Sequence, residues 1–586
     1  MIRLFRYLKT KEWLCIIVCV ALIVFQVWLD LRLPDYMADI TSLITAEGSN
    51  MSDVIGAGGK MLLCALGSLL SAVIVGFLAA KVASTFSKRL RSLMFHKVQR
   101  FTKEEIDNFS TASLITRSTN DITQIQMIVA MGLQAMIKAP ILAVMAIIKI
   151  GKKGNFEWSL LTVVTVAIML TVIIILMLYA LPKFRKIQSL TDNINRVTRE
   201  NLTGLRVVRA YNAESFQENK FEEANTMLTS NNLKAQSAMT IMMPLMMLVM
   251  NGITLGVYWI GAYLIDKASL NNKFSVFSNM IVFSSYAMQV IMAFMLLVMI
   301  FVMLPRAQVS AKRICEVLDT KTKIKDGSFS EETEEKGEIR FENVSFAYPD
   351  ADEYVLENIS FEAHKGETVA FIGATGSGKS TIVNLLARFY DVSDGRILVD
   401  GVDVKDYKIN SLYNKLGYVS QKSVLFSGTV ASNVSLGNNG KKKADEEQIK
   451  EAVETAQGKE FIEGLVEQYN GFVSQAGSNF SGGQKQRISI ARAICRQPEI
   501  FIFDDSFSAL DYKTDRLLRT ELKKKTSGAT KLIIAQRIGT IMDADRIIVL
   551  DEGKIVGIGK HKELLNSCSV YREIAESQLS KEELEA

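Results

Sequence analysis

The sequence predicts an α-helical membrane domain of six spans, followed by an α/β domain built on a phosphate-binding loop. Three observations carry that prediction. The chain is 49% hydrophobic and still 22% charged over 586 residues, a mixture that fits a membrane half joined to a soluble half. Six long apolar runs fill the first half of the chain. In the second half, Gly373 to Ser380 reads G-x-x-x-x-G-K-S, the spacing of a loop that wraps phosphate.

At the start of the chain, residues 1–12 place Arg3, Arg6, Lys9 and Lys11 among Ile2, Leu4, Phe5, Tyr7 and Leu8. This predicts a short basic amphipathic helix lying on an anionic lipid surface. The apolar runs follow near 13–31, 59–81, 128–149, 156–181, 239–265 and 278–304. Each has the roughly 20 residues that a helix needs to cross a bilayer. An even number of crossings puts both ends on one side, the cytosolic face of a plasma membrane. Charge agrees with this orientation. Residues 35–59 carry Asp35, Asp39, Glu47 and Asp53 and no Lys or Arg, whereas 88–127 carry Lys88, Arg89, Arg91, Lys97, Arg100, Lys103 and Arg117. Lys149, Lys152 and Lys153 depart from the rule. The inward segments 88–127 and 183–236 are long enough to be helical extensions beyond the membrane. The sixth helix continues from Arg306 to Lys323. The resulting plan is a membrane domain over 1–323, an acidic linker over 324–337 and an α/β domain over 338–586.

Within the membrane half, Lys138 lies mid-way along the third run, just before Pro140. An intramembrane charge needs a partner or a cavity. Met288, Met292, Met295, Met299 and Met303 share one face of the sixth run. Met239, Met242, Met243, Met246, Met247 and Met250 do likewise in the fifth. Adaptable thioethers suit an apolar cargo, and ordinary helix packing uses them as well. The six cysteines lack metal-ligand spacing and are expected to be free thiols. A net charge of +6 without a concentrated basic patch gives no reason to expect a nucleic-acid partner.

The phosphate loop sits between β-prone Thr368–Ile372 and helix-prone Ile382–Phe389, the context its chemistry requires. The backbone of Gly373, Thr375, Gly376, Ser377 and Gly378 can wrap a phosphate, and the following helix N-terminus, with Thr381, faces the negative charge. Lys379 can reach the β- and γ-phosphates, and Ser380 can ligate Mg2+. Further on, Ser481-Gly482-Gly483-Gln484 precedes a helix, and the apolar strand Ile500–Asp504 ends in an acid that can hold Mg2+ through water. Asp505 follows directly, then Ser508-Ala509-Leu510-Asp511. Gln421 follows an apolar strand, and Tyr348 lies upstream of the loop, where it can stack on adenine.

The order of these motifs closely resembles that of the ATP-binding cassette (ABC) proteins. The likeness comprises Tyr348, Walker A at 373–381, Gln421, the signature at 481–484, Walker B at 500–504, the D-loop at 508–511 and a switch position at Gln536. The stretches 109–117 and 200–210 resemble the two intracellular loops of ABC exporters. Six spans fused ahead of one cassette is the layout of an exporter half-transporter. The resemblance implies binding of ATP and Mg2+, with Ser380, Gln421 and Asp504 at the metal. It implies that Asp505, Gln536 and Gln421 are the catalytic positions. It also implies a second half-transporter as partner, since each ATP lies between one subunit's Walker motifs and the other's signature.

Three positions depart from the family pattern. Asp505 stands where Glu is usual, Gln536 where His is usual, and Gln475 where an acid usually precedes the signature. Asp is one methylene shorter than Glu, and Gln cannot take up a proton as imidazole can. The resemblance is therefore to the degenerate-site subunit of heterodimeric bacterial multidrug exporters. The expected function is ATP-driven export of hydrophobic or amphiphilic, drug-like molecules, surrounded by membrane lipid. Lipid, peptide or haem-type cargo, or an ATP-sensing regulatory subunit, are the alternatives.

Overall fold

A computed structural model describes all residues except 1, 46–49, 153–155, 350, 352, 438, 441 and 580–586. Lys153 and Glu47 thus lie outside the described residues. The chain forms two compact units. One comprises Met1–Gln99 and Ala112–Thr320, the other Arg100–Thr111 and Lys321–Ala586.

In the first unit, six helices are long and apolar enough to cross a membrane, within Thr10–Ile44, Met51–Val98, Thr111–Lys152, Phe156–Thr203, Glu214–Lys267 and Asn272–Leu297. Helices of 48, 48 and 54 residues run unbroken over Met51–Val98, Phe156–Thr203 and Glu214–Lys267. They are roughly 70–80 Å long, more than twice the about 30 Å hydrocarbon thickness. The charged segments around 88–98, 183–203 and 214–236 are therefore continuous extensions of membrane helices, as their helical pattern predicts. The outer surface is apolar: Leu63, Phe77, Leu178 and Trp259 are exposed, as lipid-facing side chains are. Inside, the buried Trp158 packs against Phe283 with ring centroids 5.3 Å apart, and its indole N–H donates to the Val257 carbonyl at 3.1 Å.

The beginning of the chain differs from the predicted amphipathic helix. Only Ile2–Phe5 is helical, and the next helix starts at Thr10. Leu4 is buried, and the Arg89 guanidinium donates to the Tyr7 carbonyl and bidentately to Glu12 at 2.8 and 3.0 Å. A tertiary ion pair ties this turn to the helix that carries Arg89. Lys149, an exception to the charge rule, now has an account: it pairs with Asp35, which also accepts from the Tyr286 hydroxyl at 2.7 Å. Lys138 pairs with Asp30 at 3.1 Å. The methionines divide rather than form one stripe. Met246 is buried, Met242, Met250 and Met295 pack on the membrane core, and Met243, Met247, Met288 and Met292 are exposed. The Met299 side chain lies outside the described residues.

The second unit holds two main sheets. A six-stranded sheet runs in the order 554–559, 546–551, 368–373, 530–534, 500–504 and 416–419, parallel except for its first pair. Its central strands Ile500–Asp504 and Thr530–Ile534 are buried at every position, which explains their continuous apolar sequence. An antiparallel sheet of Leu356–Ala363, Ile339–Phe346, Asp394–Val399 and Val402–Asp403 packs beside the P-loop helix Lys379–Leu386. The acidic segment 324–337 is pinned to this unit rather than free. The Phe329 ring meets Tyr407 edge-on at 5.2 Å, its N–H donates to the Asp406 carbonyl at 2.9 Å, and Asp326 accepts from the Ile409 N–H at 2.7 Å. Segment 100–111 also packs here: Glu105 accepts from the Lys323 N–H at 3.0 Å, and the Tyr390 hydroxyl donates to Asp107 at 3.4 Å.

Candidate functional site

Four parallel strands, 368–373, 530–534, 500–504 and 416–419, end on one edge of the sheet. Their loops supply the predicted site, in the position where open α/β sheets bind ligands. At the mouth of the first loop, Gly373 has φ +155°, and a Cβ there would sit 2.0 Å from the Leu550 carbonyl oxygen. At Gly376, φ is +91° and nothing lies within 4 Å of an added Cβ, so the loop's open side is here. This cradle of small residues leads straight into the helix Lys379–Leu386, whose first N–H groups face the opening.

Lys379 Nζ donates to the carbonyls of Gly373 at 2.9 Å and Ala374 at 2.7 Å, and to Ser377 Oγ at 3.3 Å. Burial pushes its pKa down, against the opposing pull of Asp505 and Asp504. Ser380 Oγ donates to Asp504 Oδ1 at 2.8 Å. A hydroxyl and a carboxylate held together, with Gln421 nearby in the same cluster, form a sparse set of oxygen ligands. That set fits Mg2+, which keeps several waters and shares its remaining sites with substrate phosphates.

The three catalytic candidates meet at one atom. Asp505 Oδ2 accepts from Gln421 Nε2 at 3.2 Å and from Gln536 Nε2 at 3.1 Å. Asp505 has φ +45°, and its N–H donates to the Ile534 carbonyl at 3.0 Å. The loop after Walker B is thus fixed to the strand that carries Gln536. Burial raises the pKa of both Asp504 and Asp505, and hydrogen bonds from Ser380 and Gln421 respectively oppose the rise. Both of these donors to Asp505 are neutral amides, which orient the carboxylate without bringing a charge.

Tyr348 is half-buried. Its hydroxyl lies 3.1 Å from Thr381 Oγ1, and its ring meets Tyr390 edge-on at 5.3 Å. The Ser481 stretch forms a helix cap. Ser481 Oγ accepts from the Gln484 N–H at 3.3 Å, and Gln484 Oε1 accepts from the Ser481 N–H at 2.9 Å. Around Gly482 there is open space, and a Cβ on Gly483 would approach the Ala509 carbonyl at 3.2 Å. The start of the helix Gly482–Cys495 is therefore small, capped and accessible, and its cap hydrogen bonds are internal rather than made to the P-loop cluster. Gln475 lies in a short turn before it. Two further side chains contribute to the site. Tyr418 has its phenol pKa raised by burial and by Asp504, and Ser508 Oγ donates to the Asp505 carbonyl at 2.9 Å. Ser508 lies in the 508–511 motif and Tyr418 in the strand before Gln421, and motif spacing does not show these contacts.

Comparison with known proteins gives a consistent picture. A family profile described as ABC transporter matches residues 356–508, and one described as ABC transporter transmembrane region matches 16–310. The chain is 39% identical to an uncharacterized ABC transporter ATP-binding protein of Mycobacterium tuberculosis, over 94% of this chain and 93% of the relative. It is 36% identical to the uncharacterized ABC transporter ATP-binding protein YfiB of Bacillus subtilis, over 88% of each. It is 32% identical to an ATP-dependent lipid A-core flippase of Pseudomonas aeruginosa, over 85% of this chain and 80% of the relative. In fold it matches a bacterial Atm1-family ABC exporter solved with ATP bound, at TM-score 0.81 and 24% identity, over 97% of this chain and 98% of the other.

Proposed function

The chain belongs to the ABC transporter family, and from that premise we propose that it exports hydrophobic or amphiphilic, drug-like molecules as one half of a heterodimer. The chain is a half-transporter with one multi-pass membrane region and one ATP-binding region, has the exporter fold, and couples ATP to transport across the plasma membrane. The proposal adds the cargo and the partner.

The observation that carries the pairing is Asp505 Oδ2 shared by two amides. Lys379, Ser380 and Asp504 retain every group needed to hold Mg-ATP, with Tyr348 at the adenine. Mg2+ bound there would neutralise charge on the phosphates. Hydrolysis further requires a base or water-orienting group and a switch residue. Asp505 is one methylene short of the usual Glu, and Gln536 offers an amide where imidazole could move a proton. This site therefore binds well and turns over slowly, and a partner with the full set supplies the fast site. A second reading, lipid cargo, draws support from the flippase relative.

The test is ATP-dependent accumulation of an amphiphilic dye in inverted vesicles carrying this chain and its partner. Accumulation that Lys379→Ala abolishes is expected. ATP binding without movement of dye or lipid would replace the pump with a regulatory subunit.

A further inference from the structure

Four polar side chains meet deep in the membrane unit. Lys138 Nζ lies 3.1 Å from Asp30 Oδ2. The Ser68 hydroxyl donates to Asp30 Oδ1. Gln289 Nε2 donates to the Asp30 carbonyl at 3.3 Å. The four come from four different spans, Thr10–Ile44, Met51–Val98, Thr111–Lys152 and Asn272–Leu297. Ser68, Lys138 and Gln289 fall near the middle of the apolar runs 59–81, 128–149 and 278–304, and Asp30 falls at the end of the run 13–31. The cluster therefore brings an ion pair into apolar, membrane-spanning segments, where ionised groups are rare and functional.

The cluster is not closed on itself. Gln289 Oε1 is buried and accepts no hydrogen bond, and an orphaned buried acceptor calls for an explanation. The Lys138 and Asp30 side chains are 26% and 24% exposed in the single chain, so the ion pair is not sealed by this chain's own packing. Pro140 also brings no N–H to its helix, which leaves the Met136 carbonyl, beside Lys138, without its usual helical donor.

Charge balance selects the ligand. A lipophilic cation that paired with Asp30 would displace Lys138 and strand an ammonium in apolar surroundings. A lipophilic anion that paired with Lys138 would strand the Asp30 carboxylate. Either leaves an uncompensated charge among apolar membrane segments, where an ionised group without a partner is costly. A head bearing both signs exchanges one ion pair for two and strands nothing. The free Gln289 Oε1 adds a place for an ammonium N–H. Met292, one turn on from Gln289 and 52% exposed, offers an adaptable apolar surface for the tail.

We propose that Asp30, Lys138, Ser68 and Gln289 read the head of a zwitterionic amphiphile, an apolar body carrying one ammonium and one acid group. This names the substrate class within the export function proposed above and rests on it.

The experiment uses the assembled transporter in maltoside micelles free of phospholipid. Four dodecyl probes are titrated against its ATPase: dodecylphosphoethanolamine, dodecyl phosphate, dodecylammonium and dodecanol. The zwitterion should half-stimulate at a concentration about 10-fold or more below the other three. In the double variant Asp30→Asn/Lys138→Gln, which keeps hydrogen-bonding groups and removes both charges, the four values should fall within about 3-fold of one another. Gln289→Leu should weaken the zwitterion's response alone. Overturning results are equal responses in the native protein, a preference for either singly charged probe, or a double variant that keeps the preference while its thermal stability and all four responses fall in parallel. Silence to all four probes would overturn the export reading as well, whereas responses without a head preference would overturn this one alone.

Discussion

At the residue scale, one methylene and one ring separate this site from the family's usual hydrolytic pair. Asp505 reaches both Gln421 and Gln536, so its carboxylate is oriented, but from a shorter stem. A displacement of about 1 Å in a catalytic group can cost about 100-fold in rate. Asp505→Glu combined with Gln536→His should therefore raise ATP turnover at this chain's own site by about 10-fold or more, on the same scale of misplacement cost. The measurement is ATPase activity in an assembly whose partner lacks its Walker lysine; unchanged turnover would mean that these two positions do not limit the rate. Asp504 gives a second prediction. Burial raises its pKa, so its proton is lost at higher pH than from an exposed aspartate near about 3.9. Ionised, this carboxyl opposes folding, a cost present above its folded pKa and relieved as pH falls through it. Holding Mg2+ needs the ionised form. Mg-dependent nucleotide affinity should therefore decline on acidification from a pH above the ordinary aspartate range, and Asp504→Asn should be weak and flat with pH. A midpoint at or below the ordinary range, read by nucleotide fluorescence titration, would contradict the assignment.

At the element scale, the long helices carry the chemistry of the loops at their ends. Phe216 is 66% exposed in the first turn of the 54-residue helix that starts at Glu214. An exposed aromatic at a helix end suits an interface with the proposed partner subunit. Phe216→Ala should cut transport by about 10-fold, on the scale of an interface anchor, and leave nucleotide affinity intact. Transport unchanged in both Phe216→Ala and Glu214→Ala would remove that role. The methionines divide by exposure. Met292→Ala should shift the relative response to different cargoes, whereas Met246→Ala, at a 5% exposed core position, should lower the thermal midpoint and depress all cargoes alike. Much of this architecture is legible in the sequence because it is local. Each apolar run is a span, each motif sits between a strand and a helix, and Thr368–Ile372 reads as buried because it is buried. What escapes is tertiary. Residues 1–12 have an amphipathic pattern, but only Ile2–Phe5 is helical, and Arg89, far along the chain, holds the Tyr7 carbonyl beyond it and Glu12 in the next helix. Lys149 looks like a violation of the charge rule until Asp35 is brought beside it. Segment 324–337 looks like a free acidic linker because Phe329 and Asp326 meet their partners only after folding. Asp505 and Gln536 stand out in sequence as departures, yet only the fold shows Gln536 joining Gln421 on one Asp505 oxygen.

At the scale of the whole molecule, one chain carries one P-loop and one signature. The signature's cap is complete within itself, and Gly482 faces open space. On the proposed pairing, that helix N-terminus closes on the ATP held by the partner, while the partner's signature closes on the ATP held by Lys379, Ser380 and Asp504. The two halves of this chain's cassette then serve different sites, and variants in them should behave differently. Asp505→Ala touches only the slow site and should leave more than about half of the assembly's ATPase activity. Ser481→Arg places a long side chain where small residues let the helix approach a γ-phosphate, which removes a transition-state contact worth about 100-fold or more in rate. It should therefore abolish most of the activity. A homodimer would carry Asp505 and Gln536 in both sites, and Asp505→Ala would then silence it. Steady-state ATPase of the purified assembly with each variant decides the matter. Activity that survives Asp505→Ala and is lost with Ser481→Arg supports an asymmetric pair, whereas the reverse result would assign the fast site to this chain's own Walker motifs.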